Sequence, residues 1–417
     1  MSSAIYWLAI RFYGLAAHVV SVFDPKAKLF VKGRQGLLAH IKYALINERR
    51  PRIWMHCASL GEFEQGRPLL EEMRRRYPHY AFVLTFFSPS GYEARKTYSG
   101  ADYVFYLPLD GPNNATQFIK TVQPHLALFV KYELWYFYLS RLAAQNIPAI
   151  LISAIFREDQ PFFKWYGRLH RRMLHSFSHI FVQNEESVQM LGKAGVTNVT
   201  RAGDTRFDRV VEASQANTPI AIAQAYCKGA KMLVAGSTWP DDEDFLQKLM
   251  QILPAQWKLI LVPHEIDESH IHDIETKFEG LCVKWSTWHD HSSARVLIVD
   301  KIGLLLQLYS YADVAWVGGA FNRDGVHNVL EAAIWGRPVA FGPVYDKFLE
   351  AKELIAVGGG VTIDTPEAFK HQLLNWKKDQ YSYAYACKAA RDYVLSKAGA
   401  TKAIIGHLEA KKLLSVS

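Results

Sequence analysis

Cysteine is scarce in this sequence, and its spacing excludes a disulfide framework or a cysteine-rich metal site. Only four cysteines occur in 417 residues, at positions 57, 227, 282 and 387, and no two form a Cys-x-x-Cys pair. Widely spaced single cysteines are typical of reduced thiols in a cytoplasmic protein. The chain also lacks an internal repeat and a low-complexity tract, which excludes a solenoid.

Length, apolar content and charge indicate a two-domain globular protein with a negatively charged partner. At 417 residues the chain exceeds one ordinary domain, and two domains of roughly 200 residues are expected. Half of the residues are apolar and 13% are aromatic, which excludes global disorder. The formal charge of +8 leaves nucleic acid, an anionic membrane surface and phosphorylated substrates open as partners.

The amino-terminal segment combines an apolar stretch with a basic flank. Residues 4–23 are mostly apolar and about long enough to span a bilayer, although they include Arg11 and His18. Lysines 26, 28 and 32 and Arg34 follow, and each is worth about 1 kcal/mol against an anionic leaflet. A basic cluster after the apolar stretch argues against a signal peptide. We predict membrane attachment through residues 1–35, spanning or interfacial; a helix packed on the protein's own surface is the alternative.

Short apolar runs alternate with helical patterns from residue 53 onward. The alternation predicts doubly wound α/β domains with mostly parallel sheets, whose ligands bind beyond the carboxyl ends of the strands. A polar stretch before residue 218 separates a first domain, 36–215, from a second, 216–417. Strands are predicted at 53–57, 81–85, 104–107, 126–130, 149–153, 179–182, 199–202, 232–235, 258–262, 295–299, 313–317 and 339–341, and helices most clearly at 62–76, 134–145 and 384–414.

The stretch 317–343 is the clearest candidate ligand loop. A buried strand is closed by Gly318 and Gly319, a short helix is predicted over 328–335, and another strand follows. A strand–glycine–helix unit presents free amide N–H groups and a positive dipole end, which suits a phosphate. Glu331 could accept hydrogen bonds from two ribose hydroxyls, although an ordinary βαβ connection with a solvated Glu explains the pattern equally well.

Two carboxylates follow predicted strands of the first domain. Glu62 comes after the strand that ends at residue 57, and Glu133 after the strand that ends at residue 130. A Glu in the first turn of a helix commonly only complements the helix dipole. Two carboxylates at the mouth of one sheet favour a general base that takes a proton from a sugar hydroxyl. Arg206 follows the last predicted strand of the first domain, 199–202, and is expected to face a cleft between the domains.

Five motifs in one order resemble the 3-deoxy-D-manno-octulosonic acid (Kdo) transferase family of lipopolysaccharide biosynthesis, from the amino terminus to about Pro343. The resemblance implies the α/β GT-B fold, with two doubly wound Rossmann-like domains facing a central cleft and an N-terminal membrane-anchor helix. The motifs are Ser59-Leu60-Gly61-Glu62, Glu133-Leu134-Trp135, Gly203-Asp204-Thr205-Arg206-Phe207-Asp208, Ala235-Gly236-Ser237-Thr238 and His327-Asn328-Val329-Leu330-Glu331.

The resemblance also implies a reaction and a set of site residues. Kdo would pass from CMP-Kdo to the lipid A precursor, with inversion, at the cytoplasmic face of the inner membrane. Glu62 would be the general base, and Glu133 and Arg206 would help to stabilise the transition state. The first domain would bind the acceptor and the second the CMP-sugar. The CMP contacts would come from Pro263, His264, Ile302, Gly303, Leu304, Asn328, Val329, Leu330 and Glu331.

Several positions depart from the family pattern. Arg206 stands where the family usually carries Lys, and only His264 follows Pro263 where the family has an Arg-His pair. Leu304 replaces an acidic residue, and Val329 replaces a proline. Because the leaving group carries a single phosphate and no Asp-x-Asp motif lies in a suitable loop, we expect neither a metal nor a cofactor.

Three other classes of protein are compatible with parts of the pattern. One is a different GT-B glycosyltransferase with a UDP-sugar donor and a lipid-linked acceptor. A basic nucleic-acid-binding protein is the second, but it predicts cations interleaved with aromatics on one sheet face, whereas the cations here are scattered. A membrane-associated module without activity is the third, and the paired carboxylates disfavour it.

Overall fold

The computed structural model describes residues 3–216, 218–289 and 293–415, which form two compact units. The first unit comprises Met1–Asp208 and Gly399–Ser417, and the second comprises Arg209–Ala398. The division therefore falls slightly before the expected boundary at residue 215. The carboxyl-terminal segment packs with the first unit, although the sequence placed it in the second domain. Its apolar side chains at Ile404 and Ile405 are buried in the core of the first unit, which explains why the segment packs there.

The first unit contains a seven-stranded parallel sheet in the order β3-β2-β1-β4-β5-β6-β7. Both faces of the sheet are covered, since Trp54 packs into one apolar cluster and its neighbours Ile53 and Met55 into another. Strands buried on both faces become continuous apolar runs, which made them visible in the sequence. The strands are β1 (Arg52–Cys57), β2 (Ala81–Phe86), β3 (Tyr103–Tyr106), β4 (Pro124–Val130), β5 (Ala149–Ala154), β6 (His179–Val182) and β7 (Val199–Arg201).

The second unit contains another seven-stranded parallel sheet, in the order β10-β11-β9-β8-β12-β13-β14. Its outer strands β10 and β14, three residues each, were not predicted, because they lack the buried apolar run that marks the equally short β11 and β13. The strands are β8 (Lys231–Thr238), β9 (Trp257–Pro263), β10 (Cys282–Lys284), β11 (Val296–Ile298), β12 (Val314–Val317), β13 (Val339–Phe341) and β14 (Gly360–Thr362).

Helices connect the strands, and α10 runs from the first unit into the second. Helix α19 belongs to the first unit. The helices are α1 (Ser3–Val20), α2 (Pro25–Lys32), α3 (Leu37–Ala44), α4 (Leu60–Arg76), α5 (Pro89–Arg95), α6 (Pro112–Val122), α7 (Tyr136–Ala144), α8 (Arg168–Leu174), α9 (Glu185–Lys193), α10 (Thr205–Gln215), α11 (Ala221–Cys227), α12 (Pro240–Ile252), α13 (Glu268–Lys277), α14 (Leu305–Leu308), α15 (Leu330–Ala333), α16 (Leu349–Ala356), α17 (Pro366–Lys378), α18 (Gln380–Lys397) and α19 (Ala400–Ala410).

Two predicted helices differ from the observed ones. The helix expected over 328–335 is only the four-residue α15, because Asn328 turns its side-chain oxygen onto the backbone N–H of Leu330, 3.2 Å away. The continuous helix expected over 384–414 is divided into α18 and α19 at Gly399, whose φ is +122°.

Helix α1 lies against the first unit by one side and exposes the other. The Tyr6 hydroxyl donates to Asp110 Oδ2 over 2.8 Å, and a Cβ at Gly14 would lie 2.9 Å from Leu109 Cδ1. On the other side, Phe12 is 68% exposed and Leu15 62%. Among the residues with described coordinates, α1 is the helix long and apolar enough to cross a membrane.

The basic residues that follow α1 in the sequence differ in exposure. Lys26, Lys28 and Lys32 are exposed. Arg34 instead turns inward, where its guanidinium donates to the carbonyl oxygens of Leu107 and Phe87 at 3.0 and 2.6 Å. Burial lowers the pKa of Arg34 to about 10. Expecting Arg34 to act on a membrane surface was therefore wrong, because its charge is used within the fold.

Candidate active site

The two predicted carboxylates lie where the strand order of the first sheet reverses. Strands β1 and β4 are neighbours in the middle of that sheet. Glu62 is in the first turn of α4, which follows β1, and Glu133 lies in the loop after β4. Doubly wound sheets bind their ligands at this topological switch point. The structure therefore brings both acidic side chains to the carboxyl edge of one sheet.

The Glu62 carboxylate is oriented by backbone groups at the start of α4. Its Oε2 atom accepts hydrogen bonds from the N–H groups of Ala58 and Ser59, over 2.6 and 3.2 Å. Within the described part of the chain, Oε1 accepts no hydrogen bond. One oxygen thus fixes the side chain as in a capping box, and the other is left for a ligand.

Burial makes Glu62 a much stronger base than an ordinary carboxylate. Desolvation is the main cause that raises the pKa of Glu62 to about 7, and the negative charge of Glu133 adds to the rise. The hydrogen bonds from Ala58 and Ser59 and the charge of Lys131 oppose it. A carboxyl group with a pKa near the working pH is suited to general base catalysis.

Glu133 belongs to a buried hydrogen-bonded network that includes a histidine not selected from the sequence. Its Oε2 atom accepts from Trp135 Nε1 over 2.7 Å and lies 2.9 Å from His56 Nε2. His56 is fully buried on β1, and its Nδ1 atom lies 2.8 Å from Thr85 Oγ1. A histidine inside an otherwise apolar predicted strand was the sequence signal for this site.

Arg206 is held beside α4 by an ion pair. Its Nε and Nη2 atoms lie 2.9 and 2.8 Å from Asp204 Oδ2. Asp204 is buried, and Gln65 Nε2 lies 3.5 Å from the same oxygen. Gln65 follows Glu62 by one turn of α4, so the predicted cation pairs with an aspartate that contacts the helix of the predicted base.

In the second unit, the glycine turn predicted from the sequence lies at the equivalent switch point, between β8 and β12. The Gly318 N–H donates to the Gly236 carbonyl over 2.9 Å. A Cβ at Gly318 would lie 2.4 Å from the Ser237 carbonyl oxygen, and Gly319 has a φ of +91°. Both positions therefore require glycine because two strand ends approach each other closely.

A buried aspartate that the sequence reasoning missed fixes this turn. Asp242, near the start of α12, accepts from the N–H groups of Gly319 and Trp239 over 2.8 and 3.1 Å. Its other oxygen accepts from Trp316 Nε1 over 3.1 Å. Burial raises the pKa of Asp242 to about 6. The carboxylate joins the loops that follow β8 and β12.

Three aromatic rings stack at the same edge of the second sheet. The exposed His264 ring lies 4.8 Å from the Trp239 ring and 4.6 Å from the His327 ring, centroid to centroid. Trp239 Nε1 donates to His327 Nε2 over 2.7 Å, so that nitrogen carries no hydrogen. Burial and the neighbouring His264 lower the pKa of His327 to about 4. His327 is therefore neutral at pH 7, and Trp239 was not foreseen as part of the site.

The predicted nucleotide contacts divide into exposed and buried groups. Asn328 Nδ2 donates to Glu331 Oε1 over 3.0 Å, which joins two of the predicted ligands. The side chains of Val329 and Leu330 are fully buried, so only their backbone groups could reach a ligand.

The remaining predicted contacts follow strands β9 and β11. Pro263 is buried at the end of β9. Ile302 is 83% exposed, and Gly303 has a φ of +85°. Leu304 directly precedes α14. Because β11, β9, β8 and β12 are consecutive in the sheet, their loops leave one edge of the second unit. No group of three potential metal ligands is found in the described residues.

Two parallel Rossmann-like sheets with polar residues at their switch points define the GT-B class. The chain resembles UDP-GlcNAc 2-epimerase from Neisseria meningitidis bound to UDP-GlcNAc, with a TM-score of 0.59 and 15% identity, covering 86% of this chain and 100% of that chain. It also resembles Acinetobacter baumannii MurG, with a TM-score of 0.54 and 12% identity, covering 87% and 99%. At such identities these likenesses show the fold alone.

Sequence comparison identifies the family within this class. The profile described as 3-Deoxy-D-manno-octulosonic-acid transferase (kdotransferase) matches residues 31–209. The 3-deoxy-D-manno-octulosonic acid transferase of Aquifex aeolicus (strain VF5) is 30% identical over 316 residues, which cover 74% of this chain and 80% of that protein. The protein of the same name from Bordetella pertussis is 26% identical, with 98% of this chain and 99% of the relative covered. The chain belongs to the Kdo transferase family of glycosyltransferases.

Proposed function

We propose that the protein transfers Kdo from CMP-Kdo to a hydroxyl of a lipid A precursor of the lipid IVA type, with inversion at the anomeric carbon. Family membership supports the transferred sugar. The observation that carries the mechanism is the Glu62 carboxylate, which lies at the β1–β4 switch point with one oxygen unoccupied by protein donors and a pKa of about 7.

In this mechanism Glu62 is the general base. As the acceptor oxygen attacks the anomeric carbon, its proton passes to Glu62, a new C–O bond forms, and the bond to the CMP phosphate breaks. A single displacement of this kind inverts the anomeric centre. Positioned proton transfer contributes about 10²–10⁴-fold to a rate. The two backbone N–H groups at Oε2 leave Oε1 to receive the proton.

The leaving CMP gains negative charge on its phosphate, and we assign the stabilisation of that charge to Arg206. Arg206 is oriented by Asp204 and would neutralise part of the charge, with support from Glu133 in holding the reacting groups. The N–H groups of Gly318 and Gly319 are already bonded to Gly236 and Asp242, so this turn would contribute by letting the donor approach the backbone closely. A preorganised donor commonly lowers a barrier by about 3–4 kcal/mol.

The rest of the donor would bind at the carboxyl edge of the second sheet. Glu331 would accept from the ribose hydroxyls, and the backbone of 328–330 would contact the nucleotide. The exposed His264 ring and the loop 302–304 would complete the site. Because one phosphate needs no divalent clamp, the proposed reaction uses neither a metal nor a cofactor.

The acceptor is an anionic glycolipid, and helix α1 supports an encounter at a membrane. Its exposed apolar side is followed by exposed lysines, a combination that binds an anionic surface. We propose attachment to the cytoplasmic side of the inner membrane, with the first unit binding the acceptor. The hydrogen bond between Tyr6 and Asp110 favours a helix that lies in the interface over one that spans the bilayer.

Product analysis tests the proposed function. The purified chain is incubated with a lipid A precursor and either CMP-Kdo or UDP-sugars, and the lipid mass and the released nucleotide are measured. We expect a mass gain of Kdo and release of CMP. Transfer from a UDP-sugar with release of UDP would instead establish the alternative GT-B function.

A further inference from the structure

Asp110, in the loop after β3, is a buried carboxylate that the proposed mechanism does not use. It is 2% exposed and belongs to none of the five motifs selected from the sequence. We propose that Asp110 is a positioning residue: its carboxylate holds the start of α7 together with Tyr6 of α1, and this fixes the loop that carries Glu133. The role deepens the proposed function and rests on it, because that function gives Glu133 its part in the reaction.

Three hydrogen bonds from two different helices converge on the Asp110 carboxylate. Oδ2 accepts from the Phe137 N–H over 3.0 Å, and Oδ1 accepts from the Tyr138 N–H over 3.2 Å. Oδ2 also accepts from the Tyr6 hydroxyl of α1 over 2.8 Å. Burial raises the pKa of Asp110 to about 6, so the group is ionised at pH 7 and can accept from all three donors.

The cap of α7 comes from Asp110 rather than from the helix's own sequence. Phe137 and Tyr138 are the second and third residues of α7, where the backbone N–H groups have no partner within a helix. The side chain just before a helix commonly accepts from these groups. Here that residue is Trp135, whose indole can only donate. A carboxylate from another loop therefore determines where α7 begins in space.

A short loop passes this constraint to Glu133. Residues 131–135 alone join the end of β4 to the start of α7, and β4 is fixed between β1 and β5 in the sheet. Glu133 is thus held between a rigid strand and a helix start whose position depends on Asp110. Trp135 Nε1 donates to Glu133 Oε2 over 2.7 Å, so a displaced helix start would also move the carboxylate through the Trp135 side chain.

Aromatic packing gives α1 a second connection to the same loop. The Trp135 ring lies 4.7 Å from the Phe87 ring, and the Phe87 ring lies 6.0 Å from the Tyr13 ring of α1, centroid to centroid. Through Tyr6 and Tyr13, α1 therefore supports the Glu133 loop in addition to its proposed role at the membrane.

Asp110→Asn and Tyr6→Phe each remove part of this arrangement and leave α1 in the chain. Asparagine replaces one acceptor oxygen by a donor that faces a backbone N–H, and phenylalanine keeps the ring without the hydroxyl. With an acceptor dispersed in detergent, so that membrane attachment plays no part, we expect kcat to fall about tenfold in Asp110→Asn and about threefold in Tyr6→Phe. The KM for CMP-Kdo should be unchanged, because the residues assigned to the nucleotide belong to the second unit.

Asp102→Asn is the matched control. Asp102 directly precedes β3, at the amino edge of the same sheet, and accepts from the Phe82 N–H over 2.8 Å. The same substitution therefore removes a carboxylate that holds a backbone N–H at the edge opposite Glu133. All variants are compared at a temperature at which circular dichroism shows them to be folded, and Asp102→Asn should keep the wild-type kcat.

The indole N–H signal of Trp135 in nitrogen-15 NMR is an independent readout of the loop. It is assigned by its loss in Trp135→Phe and reports the bond to Glu133 Oε2. We expect the signal to shift in Asp110→Asn and in Tyr6→Phe but not in Asp102→Asn. If Asp110→Asn does not fold, Tyr6→Phe alone decides.

The outcomes separate this role from the proposed function. If the wild-type chain does not transfer Kdo from CMP-Kdo, the proposed function fails, and the positioning role fails with it. If Kdo is transferred but kcat and the indole signal are unchanged in both variants, only the positioning role is refuted. An equal fall of kcat in Asp102→Asn, or a fall in the test variants without a shift of the indole signal, would make Asp110 a structural residue and would also refute the role.

Discussion

Glu62 combines two roles in a single carboxylate. Oε2 caps α4 through the N–H groups of Ala58 and Ser59, and Oε1 faces the site without a described donor. The cap fixes the position of the base, while desolvation keeps its proton affinity high. A residue in the first turn of a helix can therefore cap the helix and act as a base, since the cap uses one carboxylate oxygen and the proton is accepted by the other.

The pH dependence of transfer follows from the raised pKa of Glu62. A base with a pKa of about 7 is protonated and inactive below that pH, so kcat/KM should rise as the pH increases through about 7. Glu133→Gln removes a negative charge that contributes to the raised pKa and should move this limb to lower pH, whatever its effect on rate. A limb near the ordinary Glu value of about 4.3 in the wild-type protein would contradict the assignment.

At the scale of elements, the Gly318–Gly319 turn is formed by β8, β12 and the start of α12. The close approach of Gly318 to Ser237 and the bond from Gly319 to Asp242 leave no room for a side chain. The loop conformation is therefore set by packing rather than by the ligand. Because the loop is already ordered, binding of the donor does not carry the free-energy cost of ordering it.

Gly318→Ala tests that turn. The added Cβ would lie 2.4 Å from the Ser237 carbonyl oxygen, so the two strand ends must separate. We expect the KM for CMP-Kdo to rise at least about tenfold, since a displacement near 1 Å at a site is costly. Gly192→Ala, where a Cβ meets no atom within 4 Å, is the control and should leave the KM unchanged. An unchanged KM in Gly318→Ala would refute the role of the turn in donor binding.

Helix α1 is the element that we assign to the membrane. Replacing Leu8, Phe12 and Leu15 by Glu changes only its exposed side and leaves the contact between Tyr6 and Asp110 intact. We expect cosedimentation with anionic phospholipid vesicles to be lost, with little change in the free energy of unfolding. Each buried apolar side chain is worth about 1.5–3 kcal/mol of membrane affinity. Undiminished vesicle binding by this triple variant would refute the assignment.

For the whole molecule, the sequence predicted those features that depend on residues close to one another in the chain. Buried parallel strands read as apolar runs, and the rule that ligands bind at carboxyl ends of strands selected Glu62 and Glu133. The partners of these residues were not visible, because His56 and Glu133 are 77 residues apart and their contact depends on the order of strands. The return of α19 to the first unit was missed for the same reason, since the burial of Ile404 is a tertiary property.

The GT-B fold is shared by epimerases and transferases, so the architecture does not determine the reaction. The proposed reaction therefore depends on family membership and on the role that we assign to the Glu62–Glu133 edge of the first sheet. The central claim of the account is that Glu62 receives the proton of the acceptor hydroxyl.

The most direct test compares single-turnover Kdo transfer by the wild-type protein, Glu62→Gln and Glu64→Gln. A glutamine at position 62 can still accept from the two backbone N–H groups but cannot take a proton. Glu64 lies on the same helix and pairs with Arg95 at 3.0 Å, so its variant controls for a local loss of charge. We predict a fall of at least about 10² in Glu62→Gln, unchanged stability, and near-normal transfer in Glu64→Gln. Transfer by Glu62→Gln at the wild-type rate would contradict the account.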